Sequence, residues 1–200
     1  VSEIVVCNNG STDKTEEVAK SAGATVLNEP RKGYGWACLK GMDYASHLEI
    51  KPDIIVFIDG DYSDHPEEMT MVVQPILDGT ADFVIGSRAL GKREKGSMTF
   101  PQVFGNWLAT RLMRLFHRAR YSDLGPFRAI RYESLILLGM QDKTYGWTIE
   151  MQIKAKKKKL RFSEVAVNYK KRIGVSKVSG TVKGTILAGY KIIVAIFKYL

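Results

Sequence analysis

Residues 54–68, IIVFIDGDYSDHPEE, constrain the fold more than any other part of this 200-residue chain. Their first five residues form an apolar, largely β-branched run without polar alternation, which predicts a strand buried on both faces. The run ends at Asp59-Gly60-Asp61, and Pro66-Glu67-Glu68 then has the proline and acids typical of a first helical turn. The stretch therefore predicts an α/β protein with acids at the carboxyl end of a central strand.

The two acids of this stretch predict a cation site. In an open α/β sheet, the ligand crevice lies at the carboxyl ends of the strands. If the strand continues to Asp61, the side chains of Asp59 and Asp61 leave the sheet on the same side. Two hard oxygen ligands suit Mg²⁺ or Mn²⁺, which could hold a diphosphate. The alternative is an acidic loop that only caps the next helix, since Asp-Gly is also a common turn pair.

The segment before this strand predicts a βαβ unit followed by another helix. A strand over about residues 3–7, a polar turn, a helix over about 16–22 and a strand over about 24–27 imply parallel strands. Asp13 and Glu16 have the spacing of a capping box. Gly33 and Gly35, in RKGYGWA, precede a helix over about 36–47, and glycines let a backbone approach a phosphate. The polar turn is either a simple cap or a nucleotide contact.

The segment after the central strand continues the β/α alternation. A strand over about residues 81–85 ends in Gly86-Ser87-Arg88, and a helix follows over about 100–120. A short helix is expected over residues 132–138. A helix over about 147–159, in which Glu150 faces the site or is exposed, precedes a strand over about 160–169. Five large apolar residues of the 100–120 helix keep helical spacing, which predicts core packing: Phe104, Trp107, Leu108, Leu112 and Leu115.

Two further segments carry candidate functional residues. Asp123 and Arg128, in DLGPFR, are candidates for chemistry, and the alternative is a turn acid and a surface arginine. Arg172, Ser176 and Lys177 lie in the basic loop KKRIGVSK and could close over phosphates. The alternative there is another basic surface patch.

Charge and composition limit the class of protein. Thirty basic and twenty-one acidic residues give a net charge of +9, which favours an anionic partner such as nucleic acid, a membrane surface or a phosphorylated ligand, or else a merely basic surface. Nucleic-acid binding would predict aromatics interleaved with the basic residues, whereas the aromatics here follow core spacing. The two cysteines have no metal-like spacing and predict a reduced, cytoplasmic protein. Because the chain begins without Met and within a strand pattern, we expect a fragment.

The carboxyl-terminal segment predicts an apolar helix with a lysine stripe. Residues 182–200 are apolar except for lysines at positions 183, 191 and 198, whose spacing places them on one side of a helix. Such a helix could lie on a membrane surface or dock onto residues outside this chain. No run is long enough to span a bilayer.

Taken together, these stretches resemble family 2 glycosyltransferases, and among them the polyprenyl-phosphate sugar synthases. The resemblance extends over nearly the whole chain, in IVVCNNGSTDKT, RKGYGWA, FIDGDYSDHPEE, ADFVIGSR, DLGPFRAIR, YGWTIEMQIKA and RIGVSK. It implies the GT-A fold, a Rossmann-like three-layer sandwich with a mainly parallel central sheet. The first strand of that fold has no counterpart here. One catalytic domain over residues 1–200 is expected, with a nucleotide-binding part (about 1–88), an acceptor part (about 89–180) and the apolar helix (about 181–200).

The resemblance also implies a role for each candidate residue. Asp59 and Asp61, with Gly60 between them, match the Asp-x-Asp motif that binds the metal and the nucleotide-sugar diphosphate. The other donor-side positions implied by the resemblance are Asn8, Asn9, Gly10, Ser11, Asp13, Lys32, Gly33, Gly35, Arg88, Arg172, Ser176 and Lys177. The catalytic residues implied by the resemblance are Asp61, Asp123, Arg128 and Lys177. Relatives usually carry an Asp where this chain has Asn8, so the choice between UDP and GDP stays open.

The expected activity is an inverting, metal-dependent transfer of a hexose from a UDP- or GDP-sugar to a polyprenyl phosphate. The expected location is the cytoplasmic face of a membrane, with peripheral attachment and no nucleic acid as partner. Two alternatives remain at this point. One is the same donor chemistry on a soluble or glycan hydroxyl, for which Asp123 would be an essential base. The other is a non-catalytic basic binding protein on this fold.

Overall fold

The computed structural model describes residues 1–174 and 182–200, with only the backbone of residues 182–186. In chain order, the first half contains β1 (Val5–Asn8), α1 (Thr15–Ser21), β2 (Thr25–Asn28), α2 (Tyr34–His47), β3 (Ile54–Phe57), a 3₁₀ turn (Pro66–Glu68), α3 (Met69–Leu77) and β4 (Phe83–Ser87). The second half contains α4 (Phe100–His117), β5 (Arg128–Arg131), α5 (Tyr132–Leu138), α6 (Trp147–Lys157), β6 (Phe162–Ala166) and α7 (Val182–Lys198). The fold is α/β, as predicted from the alternation of strand and helix patterns.

The strands form two sheets. β1 and β2 pair in parallel, as expected for a βαβ unit. The larger sheet has the order β3-β5-β4-β6. Its strand β5 is antiparallel to both neighbours, while β4 and β6 are parallel. Three of its four strands therefore point the same way, and their carboxyl ends meet at one edge.

Strand β3 differs from its prediction in length and in burial. It ends at Phe57, so Asp59 and Asp61 lie in the loop beyond the strand and their relative orientation is not set by strand alternation. All four of its residues are half-buried, whereas all five residues of β4 are buried. The reason is position, because β3 is the edge strand of the larger sheet and β4 lies inside it. Among the described residues, no strand joins β3 to the β1–β2 sheet.

Helix α4 is amphipathic, but the prediction of its buried face was wrong for three of the five residues. Leu112 packs against the main core, as predicted. By contrast, Phe104, Trp107 and Leu115 are 49%, 51% and 71% exposed. The buried residues of the helix are Ala109 and Met113, so the side that faces the core is rotated away from these three residues.

Helix α7 packs against the rest of the domain through its last turns. Ala195 and Ile196 are buried in the main core, next to Trp147 of α6. The His117 ring lies 2.8 Å from the Ile196 carbonyl oxygen, which joins the ends of α4 and α7. Within residues 1–174 and 182–200, no helix has both the length and the apolar character that crossing a bilayer requires.

Candidate functional site

The acidic loop after β3 is fixed by contacts to a basic segment that is distant in sequence. The Asp61 Oδ1 atom accepts hydrogen bonds from the Ser63 backbone N–H, at 2.9 Å, and from the Ser63 hydroxyl. Its Oδ2 atom forms an ion pair with Arg172. The backbone N–H of Ile173 donates to the Asp61 carbonyl at 2.9 Å, and that of Lys170 donates to the Ser63 carbonyl at 3.0 Å. The structure therefore brings Arg172 to the acidic motif, while Ser176 and Lys177 lie outside the described residues.

A third acid of this loop was missed in the sequence analysis. Asp64 is 1% exposed, and neither of its carboxylate oxygens has a hydrogen-bond partner among the described residues. Burial, together with the nearby negative charge of Asp59, raises the pKa of Asp64 to about 7. An unpaired buried carboxylate is costly and normally has a partner. The signal was present in the sequence, as a third aspartate three residues after Asp61.

The pKa of Asp59 is also raised, chiefly because burial penalises its charged form, although the charges of Arg88 and Arg172 partly offset this. Asp59 and Asp64 thus place incompletely compensated negative charge at the carboxyl end of β3, while Asp61 is paired with Arg172. Among the described residues, no three acidic, histidine or cysteine side chains are grouped closely enough to hold a metal by themselves. A divalent cation fits this arrangement, because it would compensate the unpaired charge. Mg²⁺ in nucleotide sites is commonly held by one or two carboxylates and substrate phosphates. Asp59 and Asp61 would supply two such carboxylates.

Asp123 lies in a very different environment. Its Oδ2 atom accepts from the Arg88 backbone N–H at 2.7 Å and from Arg88 Nε at 2.8 Å, and its Oδ1 atom accepts from Arg88 Nη2 at 2.8 Å. The Arg88 side chain is 12% exposed, and that of Asp123 is 1% exposed. Burial alone would raise the pKa of Asp123, but the charge and hydrogen bonds of Arg88 outweigh it and hold this pKa below its usual value. Arg88 therefore contacts Asp123 at the edge of the sheet.

Arg128 is neither a surface arginine nor open to a ligand. It is 1% exposed and donates to the carbonyl oxygens of Leu124, Gly125 and Thr148. Its guanidinium carbon lies 5.8 Å from the ring centre of Phe83. These contacts hold the turn that follows Asp123, so the geometry favours a supporting role, and direct participation of Arg128 in catalysis stays a prediction.

Glu150 is not exposed, so that predicted placement was wrong. It is fully buried and accepts from the backbone N–H groups of Gln141 and Asp142, at 2.9 and 2.7 Å, and it pairs with Lys154 at 2.7 Å. No sequence pattern indicates the two N–H partners, because they belong to the loop before α6. Glu150 therefore holds that loop in place.

The turn after β1 is held by its own side chains. The Asn8 amide oxygen accepts from the Ser11 backbone N–H at 3.0 Å, and its Nδ2 donates to Asn28 at 2.9 Å. The Asn9 amide oxygen accepts from Gly33 N–H at 2.9 Å, and its Nδ2 donates to the carbonyl of Glu29 at 3.0 Å. The two predicted donor-side segments are therefore adjacent in space.

The remaining donor-side candidates lie at the edges of this region. Gly10 has a positive φ of 67°, which a glycine adopts without strain. The Asp13 carboxylate accepts from the Thr15 backbone N–H at 3.1 Å rather than forming the predicted capping box. Lys32 and Gly60 are exposed.

Gly33 and Gly35 have a structural reason to be glycine. A Cβ atom on Gly33 would overlap the Lys143 carbonyl oxygen, and one on Gly35 would overlap that of Asp142. The N–H groups of Gly35 and Trp36 donate to the carbonyls of Thr144 and Lys143, both at 3.2 Å. The first turn of α2 thus faces the loop before α6, and these glycines accommodate a main-chain contact whether or not a ligand also approaches.

Comparison with known proteins identifies the family. The Glycosyl transferase family 2 model matches residues 1–138, which is more than half of the chain. The chain belongs to glycosyl transferase family 2. A glycosyltransferase of Mycobacterium tuberculosis is 35% identical over 187 residues, which cover 92% of this chain and 81% of the relative. The undecaprenyl-phosphate mannosyltransferase of Micrococcus luteus is 27% identical over 194 residues, which cover 92% of this chain and 78% of that enzyme.

A solved structure supports the fold. Glucosyl-3-phosphoglycerate synthase from Mycobacterium tuberculosis, crystallised with Mn²⁺, uridine diphosphate and glucosyl-3-phosphoglycerate, matches with a TM-score of 0.76 and 22% identity. The match covers 100% of this chain and 69% of the synthase. At this identity, the match shows a common GT-A architecture, as the resemblance implied.

Proposed function

We propose that this family 2 glycosyltransferase moves a hexose from a nucleotide diphosphate sugar to a polyprenyl phosphate, with inversion at the anomeric carbon. In this reaction the bond from the sugar carbon to the donor diphosphate breaks, and a bond to an acceptor phosphate oxygen forms. The nucleoside diphosphate leaves with the bonding electrons. The undecaprenyl-phosphate mannosyltransferase of Micrococcus luteus, by its name, acts on an acceptor of this class.

The observation that carries this choice of acceptor is the state of Asp123. A hydroxyl acceptor needs a general base with a pKa near the working pH. Asp123 is the predicted base for such an acceptor, but Arg88 occupies both of its oxygens and lowers its pKa. A phosphate acceptor is already anionic, so it needs cations rather than a base. Arg93 lines the cavity beside the Arg88–Asp123 pair and would supply positive charge that Asp123 does not compensate.

We assign the donor side to the acidic loop and its neighbours. Asp59 and Asp61 would bind Mg²⁺ or Mn²⁺, which would stabilise the negative charge that develops on the leaving diphosphate. Arg172 already contacts Asp61 and would lie next to that diphosphate, with Ser176 and Lys177 following it in the chain. The turn at residues 8–13 and the segment 32–35 would contact the base and ribose. We also propose the division into a donor part (about 1–88) and an acceptor part (about 89–180).

We further propose peripheral attachment at the cytoplasmic face of a membrane, because the acceptor would be a lipid. The net charge of +9 suits an anionic membrane surface. No nucleic acid is required for this activity.

Transfer of radiolabelled sugar tests the proposal directly. The purified chain is incubated with labelled UDP- or GDP-hexoses and Mn²⁺, and undecaprenyl phosphate in detergent is the acceptor. We expect label in the organic phase, as an acid-labile glycosyl phosphate, only with one of the donors and only with metal. Transfer to 3-phosphoglycerate or to a glycan hydroxyl instead would establish the alternative acceptor class. A chain that binds no donor in a thermal-shift screen and transfers nothing would favour a non-catalytic binding protein.

A further inference from the structure

The exposed face of α4 begins with a row of aromatic side chains. Phe100, Phe104 and Trp107 are 81%, 49% and 51% exposed. The ring centres of Phe100 and Phe104 are 6.2 Å apart, and those of Phe104 and Trp107 are 5.7 Å apart. Spacings of four and three residues keep the three rings on one side of the helix. We call these three residues the aromatic row. A contiguous exposed apolar patch of this kind marks an interaction site more often than isolated surface residues do.

The aromatic row adjoins the cavity beside Asp123. Trp107 belongs to the row and also lines this cavity, which has a volume of about 180 Å³. Met98 and Val103 add apolar side chains to its lining, and Arg88 and Arg93 add basic ones. The cavity and the row therefore form a continuous surface that combines basic and apolar side chains.

Basic residues continue the outer side of α4 beyond the row. Arg111, Arg114 and Arg118 are exposed and follow the aromatic residues at helical spacing. The guanidinium carbon of Arg111 lies 5.8 Å from the ring centre of Trp107. Aromatic rings beside arginines suit the boundary between hydrocarbon and anionic headgroups. The charge of this surface therefore fits a lipid partner.

We propose that the aromatic row binds the hydrocarbon chain of a lipid phosphate whose phosphate group enters the adjoining cavity. This inference rests on the proposed function, because it concerns the acceptor of the same reaction. The chain contacts the apolar faces of Phe100, Phe104 and Trp107, and the phosphate is attracted to Arg93 in the cavity lining. A phosphorylated acceptor without a hydrocarbon chain reaches the cavity but gains nothing from the row.

The test compares long and short acceptors in a variant of the row. Phe100→Ser with Phe104→Ser removes two exposed rings, and neither residue lines the cavity or belongs to the buried core. We expect kcat/KM for undecaprenyl phosphate to fall by about 10-fold or more, a loss consistent with removing part of a hydrocarbon contact. We expect kcat/KM for geranyl phosphate, whose chain is too short to cover the row, to change by less than about twofold.

A matched control removes exposed apolar residues elsewhere. Ile136 and Leu137 on α5 are 49% and 54% exposed, so Ile136→Ser with Leu137→Ser is expected to leave both acceptors unaffected. An equal loss for long and short acceptors, or no loss for either, would overturn the assignment of the row.

A binding measurement separates this inference from the proposed function. The chain is sedimented with vesicles of phosphatidylcholine and phosphatidylglycerol, without donor or acceptor. We expect the Phe100→Ser, Phe104→Ser variant to bind several-fold more weakly than the wild type and the α5 control. If the wild type transfers sugar to no polyprenyl phosphate, the proposed function fails, while this measurement still tests the row. Vesicle binding that is the same in all three proteins would overturn the inference even if transfer occurs.

Discussion

Asp59 and Asp64, at the proposed donor side, and Asp123, at the proposed acceptor side, have opposite electrostatic states, although all three lie in loops at the same edge of the sheet. Asp59 and Asp64 have raised pKa values, because burial dominates and Asp64 has no hydrogen-bond partner among the described residues. Asp123 has a lowered pKa, because Arg88 forms three hydrogen bonds with it. Asp64 and Asp123 are each 1% exposed, so burial alone does not distinguish these two acids.

The difference lies in charge compensation. Asp123 is already neutralised by a fixed arginine, which makes it a stable structural pair and a poor proton acceptor. The proposed donor-side acids carry more negative charge than their neighbours compensate. Among the described residues, Arg172 forms an ion pair with Asp61 and offsets the charge of Asp59 only in part. A bound cation would therefore stabilise the acids of the loop after β3, whereas it would not stabilise the Arg88–Asp123 pair. Three substitutions therefore test whether the two regions really differ in this way.

Asp123→Asn has the largest expected effect, and it acts on stability. Removing one charge of a buried pair leaves Arg88 without compensation, which costs about 3 kcal/mol of unfolding free energy. Urea denaturation of the wild type and the variant measures this difference. The double variant with Arg88→Met is expected to recover part of the loss, because it removes the uncompensated charge as well. Full stability in Asp123→Asn would contradict the view that this pair is structural.

Asp61→Asn is expected to act on ligand binding instead. Loss of the negative charge should weaken Mn²⁺-dependent nucleotide binding about 100-fold, or about 2.7 kcal/mol. Stability should change by less than about 1 kcal/mol, since the asparagine amide oxygen can still accept from the Ser63 N–H. Calorimetric titration with nucleotide, with and without Mn²⁺, measures the loss.

Asp78→Asn is the matched control for this titration, because Asp78 is an exposed acid at the end of α3. Equal nucleotide affinity in Asp61→Asn and the control would remove Asp61 from the metal site.

Asp64→Asn has the smallest expected effect, and its sign depends on pH. The pKa of Asp64 is about 7 in the folded protein, compared with an ordinary value of 3.8. Between these values the folded state binds more protons than the unfolded state, so stability falls as pH rises. The Asp64→Asn variant has no carboxylate to deprotonate, so its stability does not fall in this way. Its free energy of unfolding is expected to exceed that of the wild type by about 2 kcal/mol at pH 8, and by less at pH 5.

Thermal unfolding at several pH values measures this effect, and Asp53→Asn serves as the exposed control. A stability difference between Asp64→Asn and the wild type that does not change with pH would show that Asp64 is not held unpaired in the folded protein.

The architecture and the location of the site could be predicted from the sequence, because they depend on local patterns. The apolar run at residues 54–58, the Asp-x-Asp motif and the βαβ spacing are all contiguous signals. Strand β3, α2 and α5 lie close to their predicted positions. Helix α5 begins at Tyr132 and ends at Leu138, as predicted.

The contacts inside the site could not be predicted, because they join residues that are far apart in the chain. Arg172, the partner of Asp61, lies 111 positions away in the chain, and Arg88, the partner of Asp123, lies 35 positions away. The exposed face of α4 was missed for another reason. Periodicity identifies an apolar face, but only the packing of Ala109 and Met113 shows which side of the helix is buried.

The contact of Gly33 and Gly35 with residues 142–144 has a consequence for mutational tolerance. Main chain meets main chain there, with no side chain between the helix that follows the donor-side turn and the loop held by Glu150. A single added methyl group at either glycine would overlap a carbonyl oxygen of that loop. Substitution of either glycine is therefore expected to displace the start of α2 from the loop, whatever ligand the protein binds.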